Sequence, residues 1–331
     1  MSNITAPTFG GQARLLSVAG YRGSQVVTNA EMCQWLDSSD EWIKQRTGIT
    51  ERRWAKPDET VLQMAINASE NAIRRAGLTA SDIDAVVVST VSHHQPSPAL
   101  APTLAAALGT DGVPAFDISA ACAGFCYLVE VARSLIASGA ARHVLIAASE
   151  RLSDLIDRSD RSTAFLFGDG AGAAVVGVSD TPGIGTCVWG TDGTRDAVVG
   201  IEAWPNAVAA GHAYPQIFMD GPQVFRWAAT EVAAQALAAV EAAGITPADL
   251  DVFIGHQANS RIIDAMLRRL NLPEHVTVSR DIRIQGNTSA ASIPIAMAEL
   301  LESGAASPGQ LALIVGFGAG LTYAAQVVTL P

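Results

Sequence analysis

Charged residues are few in this chain of 331 residues, and long hydrophobic runs are missing from it. Charged residues make up 16% and hydrophobic residues 49% of the sequence, which favours a large buried core and buried surface between subunits. No apolar run approaches the roughly 20 residues that a membrane-spanning helix needs. The first residues lack a basic stretch followed by an apolar one, so we expect no secretory signal, no membrane insertion and a cytoplasmic location.

Basic residues are outnumbered, and cysteines are sparse. The net charge of −11 at pH 7 argues against a nucleic-acid-binding protein, which usually carries a basic excess. The four cysteines, Cys33, Cys122, Cys126 and Cys187, form no C-x-x-C pair and are interpreted as reduced thiols. Because no His lies near Cys122 and Cys126 in sequence, we expect no metal site there. The Gly-rich stretches lack the G-x-G-x-x-G spacing of a dinucleotide site.

One sequence pattern occurs twice along the chain. Cys122 begins an apolar helical stretch and lies 16 residues before Ser138, and Asn287 lies 16 residues before Ser303 in a similar stretch. The offset of this pair is 165 residues, and a second matching pair of segments, which ends at Asp84 and at Asp251, has an offset of 167 residues. Nearly equal offsets predict two related half-domains, with Cys122 and Asn287 at equivalent positions.

Short β-branched runs alternate with helical periodicity, which predicts an α/β fold with buried sheets. The predicted helices are residues 59–76, 123–137, 224–243 and 292–301, and the predicted strands are residues 86–88, 144–146, 173–178, 252–254 and 313–315. Turn residues at 179–183 predict a boundary between half-domains 1–178 and 179–331. Residues 190–214 lack periodicity and are predicted to form a long loop or insertion.

Three side chains of catalytic type are predicted to lie at loop ends. Cys122 stands at a helix N-terminus, where the helix dipole and free N–H groups stabilise a thiolate. His256 follows a buried strand, at the edge where open α/β sheets place ligands. Asn287 lies in a turn. Each has a simpler structural interpretation on its own, Asn287 as a helix cap for example, but a thiol with two neutral donors suits stabilisation of an oxyanion or enolate.

The chain resembles β-ketoacyl-acyl carrier protein synthase III, of the thiolase-like superfamily, over nearly its whole length. It looks most like the actinobacterial members. The motifs that carry the resemblance are Asp40–Trp42, Arg46–Ile49, Ala121–Phe125, Phe167–Ala173, His256–Asn259, Gly286–Ser292 and Gly316–Gly320. The resemblance implies a five-layered αβαβα fold of two duplicated half-domains, the first with the nucleophilic Cys and the second with the His and the Asn.

The resemblance also implies a reaction, the condensation that initiates type II fatty-acid synthesis. Cys122 would accept the acyl group of an acyl-CoA primer, and malonyl-acyl carrier protein would then enter. His256 and Asn287 would stabilise the enolate formed on decarboxylation, and the backbone N–H groups of Cys122 and Ala319 would form the oxyanion hole. Acyl-CoA and malonyl-acyl carrier protein are expected as substrates of a homodimer that holds no permanent cofactor and no metal.

Other positions carry over from the family one by one. Trp42 and Arg161 would sandwich the adenine of coenzyme A, and Arg46 would reach its phosphates. The remaining coenzyme A positions are expected to line the pantetheine tunnel: Gly221, Phe225 and Asn259. Phe317 would border the acyl pocket. Ser97 falls where some members have a bulky Phe that reaches the partner's acyl pocket, which predicts a longer or branched primer.

A basic patch is expected on the helix that follows His256. Arg261, Arg268 and Arg269 are seven and eight positions apart and therefore share one face. We predict that this face docks the acidic acyl carrier protein; the alternative is an ordinary solvated helix face.

Two departures from the family pattern and several alternatives remain. Ala319 stands where many members have Gly, and Gly255 where Pro is common. The alternatives are a priming ketosynthase of a type II polyketide pathway, a Cys-dependent acyltransferase without condensation, and a non-catalytic partner subunit. Subunits of the last kind typically lack the nucleophile. A biosynthetic thiolase would need a second active-site Cys, and no Cys follows Cys187. The primer stays open.

Overall fold

The computed structural model describes residues 9–110 and 112–331. The first half contains β1 (Gln12–Arg22), β2 (Gln25–Thr28), α1 (Asn29–Met32), α2 (Asp40–Thr47), β3 (Glu51–Trp54), α3 (Val61–Arg75), β4 (Ala85–Ser89), α4 (Leu100–Leu108), β5 (Ala115–Ile118), α5 (Gly124–Ala137), β6 (His143–Arg151) and β7 (Asp169–Ser179). The second half contains β8 (Val188–Gly190), β9 (Val199–Ile201), α6 (Trp204–Ala210), β10 (Ile217–Met219), α7 (Gly221–Trp227), α8 (Ala233–Ala242), β11 (Val252–Gly255), α9 (Ser260–Leu270), β12 (Thr277–Val278), α10 (Ile282–Gln285), α11 (Ser292–Glu302), β13 (Leu311–Gly318) and β14 (Thr322–Thr329).

Two five-stranded mixed sheets have the same topology. The first has the order β1-β7-β6-β4-β5, and the second has the order β8-β14-β13-β11-β12. In each sheet the central strand pairs in parallel with one neighbour and antiparallel with the other. The outer pairs, β4 with β5 and β11 with β12, are parallel in both. The matching order and direction of all five strands fit the predicted duplication.

The duplication extends to single hydrogen bonds. The peptide N–H of Asp84 donates to the carbonyl of His143 at 2.9 Å, and that of Asp251 donates to the carbonyl of Leu311 at 3.0 Å. In return, the carboxylate of Asp84 accepts from the N–H of His143, and that of Asp251 accepts from the N–H of Leu311, both at 2.8 Å. Each Asp therefore fixes the start of the central strand next to it.

Five layers pack around three hydrophobic cores. Helices α3 and α4 cover the outer face of the first sheet. Helices α5 and α11 lie between the two sheets, where most of their apolar side chains are buried. On the outer face of the second sheet, α8 and α9 pack in the third core. This α/β/α/β/α order is the predicted one, and among the described residues no helix is both long and apolar enough to cross a bilayer.

The prediction that Cys122 and Asn287 are equivalent is wrong. Cys122 is the middle residue of a 3₁₀ turn that leads into α5, and the matching turn before α11 has Ala290 in its middle. Ala121 and Ser289, the first residues of the two turns, share the unusual backbone φ of +45° and +48°. Helix α5 has 14 residues and α11 has 11. The sequence match aligned the C-terminal ends of the two helices. Their N-terminal ends were therefore out of register by about one helical turn.

The remaining element predictions hold with two refinements. The predicted helix at 224–243 is interrupted by a π-helical turn at Ala228–Val232 between α7 and α8. Residues 190–214 were expected to lack regular structure, but they contain β9 and α6, and β9 pairs with β10. Their elements are too short for periodicity to reveal them. The half-domain boundary between residues 178 and 179 stays a prediction.

Candidate active site

Cys122 lies where the two duplicated halves touch. It follows β5 and precedes α5, and Gly124 at the start of α5 is so close to Ser89 and Ala290 that a side chain there would collide with Ser89. Gly318, at the end of β13, closes the other side of Cys122. A Cβ atom on Gly318 would lie 2.7 Å from the Cys122 N and 3.1 Å from its Sγ. The nucleophile candidate is therefore held between a helix start in one half and a strand end in the other.

Gly318→Ala is expected to displace Cys122, because the added methyl group would overlap its backbone. We expect activity to fall by about 100-fold, the scale of a misplacement of about 1 Å at a reacting atom. Steady-state condensation rates measure the effect. Gly193→Ala is the control, since a Cβ atom there meets nothing within 4 Å. Equal activity of both variants would show that Gly318 does not position Cys122.

The thiol of Cys122 is protonated at neutral pH. Part of the residue is accessible, but the thiol is enclosed by protein, and this burial raises the pKa of Cys122 to about 11. The hydroxyl of Ser289 lowers this pKa, and the carboxylate of Glu150 raises it. Burial also raises the pKa of Glu150 to about 7. Desolvation thus opposes the thiolate that was predicted from the helix N-terminus.

His256 is a buried, neutral imidazole. It follows β11, and its backbone N–H donates to the carbonyl of Val315 on β13 at 2.7 Å. Its Nδ1 lies 2.7 Å from the hydroxyl of Ser292, and its ring packs edge-on against Phe317 at 5.2 Å. Burial lowers the pKa of His256 to about 3. Phe317 is next to Gly318 in the chain, so β13 places His256 near Cys122.

Asn287 is fixed at three atoms. Its N–H donates to the carbonyl of Leu166 at 2.8 Å, and its carbonyl accepts from the N–H of Gly168 at 2.9 Å. Its side-chain Oδ1 accepts from the N–H of Ser289 at 2.8 Å. Because Oδ1 is engaged, the Nδ2 group is left to donate into the cleft that Asn287 lines.

A cleft of about 880 Å³ leads to Asn287 from the surface. All six residues predicted to bind coenzyme A line it: Trp42, Arg46, Arg161, Gly221, Phe225 and Asn259. Among the described residues, Cys122 and His256 do not line the cleft, and Asn287 does. Arg226 also lines the cleft. It was not predicted from the sequence, although it directly follows Phe225 in the chain.

The mouth of the cleft contains an Arg-Trp-Arg cluster. The guanidinium carbons of Arg46 and Arg161 lie 5.6 and 5.8 Å from the ring centroid of Trp42. Arg161 also pairs with Asp37 at 3.4 Å, and its side chain is 53% exposed. An adenine between Trp42 and Arg161 would have to displace this guanidinium, and an exposed ion pair offers little resistance. Asn259 caps α9 and donates to the carbonyl of Arg46 at 3.2 Å.

The basic patch, Arg261 with Arg268 and Arg269, is exposed along α9. Arg261 lines the cleft, and its guanidinium carbon lies 6.0 Å from the ring centroid of Phe225. Arg268 and Arg269 are in the last turn of α9, where the helix dipole also stabilises positive charge. Within the part of the chain that the structure describes, no acidic side chain forms an ion pair with any of the three.

The two residues predicted for the acyl pocket lie apart. Phe317 is 1% exposed and packs between His256 and Trp227. Ser97 is exposed in the loop between β4 and α4, so it does not join Phe317 within one chain. Ala319 begins a 3₁₀ turn directly after Gly318. Its backbone N–H is therefore one residue beyond Gly318, which lies against Cys122.

Comparison with known proteins matches this site to one family. Residues 116–193 match the family described as 3-Oxoacyl-[acyl-carrier-protein (ACP)] synthase III, and residues 240–330 match its C-terminal part. A β-ketoacyl-[acyl-carrier-protein] synthase III of Streptomyces coelicolor is 53% identical, and both chains are covered completely. This chain belongs to the β-ketoacyl-acyl carrier protein synthase III family. A mycobacterial synthase III of Mycobacterium marinum is 51% identical over 96% of this chain and 95% of its own, so the predicted actinobacterial type is confirmed.

Solved structures of the synthase III family confirm the thiolase-like fold. The 3-oxoacyl-[acyl-carrier-protein] synthase III of Aquifex aeolicus is 38% identical, with a TM-score of 0.88 over 96% of this chain and 99% of its own. The priming β-ketosynthase of the R1128 polyketide biosynthetic pathway is 48% identical, with a TM-score of 0.96 over 100% of this chain and 99% of its own. The predicted condensing enzyme is confirmed at the level of the family.

Proposed function

We propose that this protein catalyses the decarboxylative Claisen condensation of an acyl-CoA primer with malonyl-acyl carrier protein, giving 3-oxoacyl-acyl carrier protein and initiating type II fatty-acid synthesis. The observation that carries the proposal is the meeting of three groups at the join of the halves. Cys122 lies against Gly318, and His256 lies against the neighbouring Phe317. Asn287 lies two residues before the turn Ser289–Ala291, which packs against the turn Ala121–Ala123 that holds Cys122.

In the first half-reaction, the sulfur of Cys122 attacks the thioester carbonyl of the acyl-CoA. The oxygen that becomes negative accepts hydrogen bonds from the backbone N–H groups of Cys122 and Ala319. The carbon–sulfur bond to coenzyme A breaks, and coenzyme A leaves as a thiol with the proton that Cys122 loses. The protonated state of Cys122 at neutral pH therefore supplies the proton that the leaving group needs.

In the second half-reaction, malonyl-acyl carrier protein binds to the acylated enzyme. The bond to its carboxylate breaks and releases carbon dioxide, and the electron pair forms an enolate whose oxygen accepts from His256 Nε2 and Asn287 Nδ2. The enolate carbon attacks the acyl carbonyl to form the new carbon–carbon bond, and Cys122 leaves as a thiolate that takes a proton from solvent to return to the resting thiol. Since burial keeps His256 neutral, His256 acts as a neutral hydrogen-bond donor to the enolate oxygen. Ping-pong kinetics are expected.

Coenzyme A and the carrier protein's pantetheine arm would share the cleft. The Arg-Trp-Arg cluster at its mouth, Trp42 with Arg46 and Arg161, suits an adenine and its phosphates. Gly221, Phe225 and Asn259 line the path towards Asn287. Arg226 also lines the cleft and adds a third positive charge to those of Arg46 and Arg161, which either a phosphate or an acidic carrier protein would contact.

Reversing the charges of the basic patch is expected to weaken docking of acyl carrier protein. For Arg268→Glu with Arg269→Glu, we expect KM for malonyl-acyl carrier protein to rise about 10-fold at low salt and less at high salt, because rim charges act on encounter. Acylation of Cys122 by acyl-CoA should not change. Arg74→Glu is the matched control, since Arg74 is also exposed in the last turn of a helix. An equal rise in that control would indicate a general charge effect.

The edge of the first sheet supports a homodimer. Strand β5 lies at this edge, and Phe116 on it is 38% exposed. Exposed edge strands pair readily with another chain. We expect the wild-type protein to be dimeric by light scattering and Phe116→Arg to shift it to the monomer. A Phe116→Arg protein that remains fully dimeric would place the interface elsewhere.

A polyketide priming role is the second candidate, and the 48% identity to the R1128 priming ketosynthase favours it. The two candidates differ in the primer and not in the chemistry. Carbon dioxide release with formation of 3-oxoacyl-acyl carrier protein tests the condensation itself. Relative rates with acetyl-, isobutyryl- and dodecanoyl-CoA test the primer. A strict preference for acetyl-CoA would refute the inference, from Ser97, of a longer or branched primer.

A further inference from the structure

Ser292 touches His256 from the side opposite to the reacting nitrogen. It is the first residue of α11, and it is 1% exposed. Its Oγ lies 2.7 Å from His256 Nδ1, and it accepts a hydrogen bond from the N–H of Gln257 at 3.3 Å. Across the described residues, the structure gives this hydroxyl these two partners and no other.

The position of the hydroxyl proton follows from counting donors and acceptors. The N–H of Gln257 already donates to Ser292 Oγ. If His256 Nδ1 were protonated, it would also donate to Oγ, and the hydroxyl proton of Ser292 would be buried without an acceptor. Such an unsatisfied group costs about 1–3 kcal/mol. If the hydroxyl donates to an unprotonated Nδ1, the hydroxyl proton and the N–H of Gln257 both have acceptors.

We infer that Ser292 is a positioning residue, which fixes His256 in the tautomer that carries its proton on Nε2. This inference rests on the proposed function, because only a protonated Nε2 can donate to the oxygen of the malonyl thioester. In the other tautomer, the lone pair of Nε2 would face the developing enolate oxygen and repel it. The Ser292 hydroxyl thus determines whether Nε2 of His256 attracts or repels the enolate oxygen.

Asn287 shows the same arrangement. Its Oδ1 is held by the N–H of Ser289, which leaves its amide N–H groups for the cleft. Ser289 opens the turn that leads into α11, and Ser292 begins the helix. One short segment, residues 287–292, therefore orients both donors of the site: it binds the acceptor atom of Asn287 and the acceptor nitrogen of His256.

The test is the tautomer of His256 in protein labelled with ¹⁵N-histidine, read from long-range ¹H–¹⁵N spectra. The His256 signals are those that His256→Ala removes. We expect wild type to show protonated Nε2 alone, and Ser292→Ala to show a mixture of tautomers. Loss of an outer residue of this kind typically costs 10- to 100-fold, so we expect malonyl decarboxylation to slow by about that factor. Acylation of Cys122 by acyl-CoA should stay within about twofold of wild type, because His256 has no donor role in that step.

Two controls separate orientation from folding. Ser17→Ala removes another buried hydroxyl, which donates to the carbonyl of Ala72 at 2.6 Å, and it should leave both the tautomer and the decarboxylation rate unchanged. Ser292→Thr keeps the hydroxyl and should restore the single tautomer. A wild-type protein with protonated Nδ1 would overturn the inference, as would a Ser292→Ala protein with an unchanged tautomer. The spectrum needs no turnover, so failure of the proposed reaction would be seen separately, as a lack of decarboxylation by wild type.

Discussion

Asn287→Asp is expected to reduce decarboxylation of malonyl-acyl carrier protein by at least about 100-fold, the scale of losing one preorganised oxyanion donor. The replacement has nearly the same shape. One carboxylate oxygen can still accept from the N–H of Ser289, as Asn287 Oδ1 does at 2.8 Å. The other oxygen then takes the place of Nδ2 and presents negative charge to the enolate. Release of carbon dioxide from malonyl-acyl carrier protein measures the loss.

Acyl loading distinguishes this effect from a damaged fold. Asn287 has no assigned role in acyl transfer from acyl-CoA, so Asn287→Asp should still form the acyl-Cys122 intermediate, visible by mass spectrometry of the intact protein. Decarboxylation at the wild-type rate would show that the amide of Asn287 is not a donor to the enolate. Loss of both half-reactions together would point to a structural role at the contact with Leu166 and Gly168.

Cys122→Ala is expected to abolish condensation, with a loss of about 10³-fold or more, as for removal of a nucleophile in covalent catalysis. The variant should also fail to take up an acyl group from acyl-CoA. Slow decarboxylation of malonyl-acyl carrier protein should persist, because His256 and Asn287 remain in place. The measurements are the intact mass after exposure to acyl-CoA and the rate of 3-oxoacyl-acyl carrier protein formation.

Cys126→Ala is the matched control for Cys122→Ala. Cys126 lies four positions further along, in α5, and is completely buried in the core between the sheets. Its loss should lower stability slightly and leave the acyl adduct intact. An adduct that survives in Cys122→Ala and disappears in Cys126→Ala would reverse the assignment of the nucleophile.

Local patterns were sufficient to predict the layered fold and the residues of the site, because each depends on short segments. The strand-like runs, the apolar helices and the repeat around Asp84 and Asp251 carry the duplication in their own sequence. The register between Cys122 and Asn287 could not be predicted, since it depends on α11 being one turn shorter than α5.

Properties that arise from enclosure were also beyond the sequence. A Cys at a helix start suggested a thiolate, yet the surrounding protein raises its pKa to about 11. The same burial lowers the pKa of His256 to about 3. Ser292 belongs to the Gly286–Ser292 motif, but its contact with His256 spans 36 positions and forms only when β11 and α11 pack together.

If Cys122 holds the acyl group between the two half-reactions, a two-step mass experiment should trap the acyl group and then show its release. The protein is first exposed to a mixture of acyl-CoAs, and its intact mass and the modified peptide are measured. Malonyl-acyl carrier protein is then added. We expect one acyl group on Cys122, which disappears as carbon dioxide and 3-oxoacyl-acyl carrier protein form in equal amounts. An acyl group on another residue would show that Cys122 is not the nucleophile, and transfer of the acyl group to a hydroxyl or amine without carbon dioxide release would show that the reaction is not a condensation.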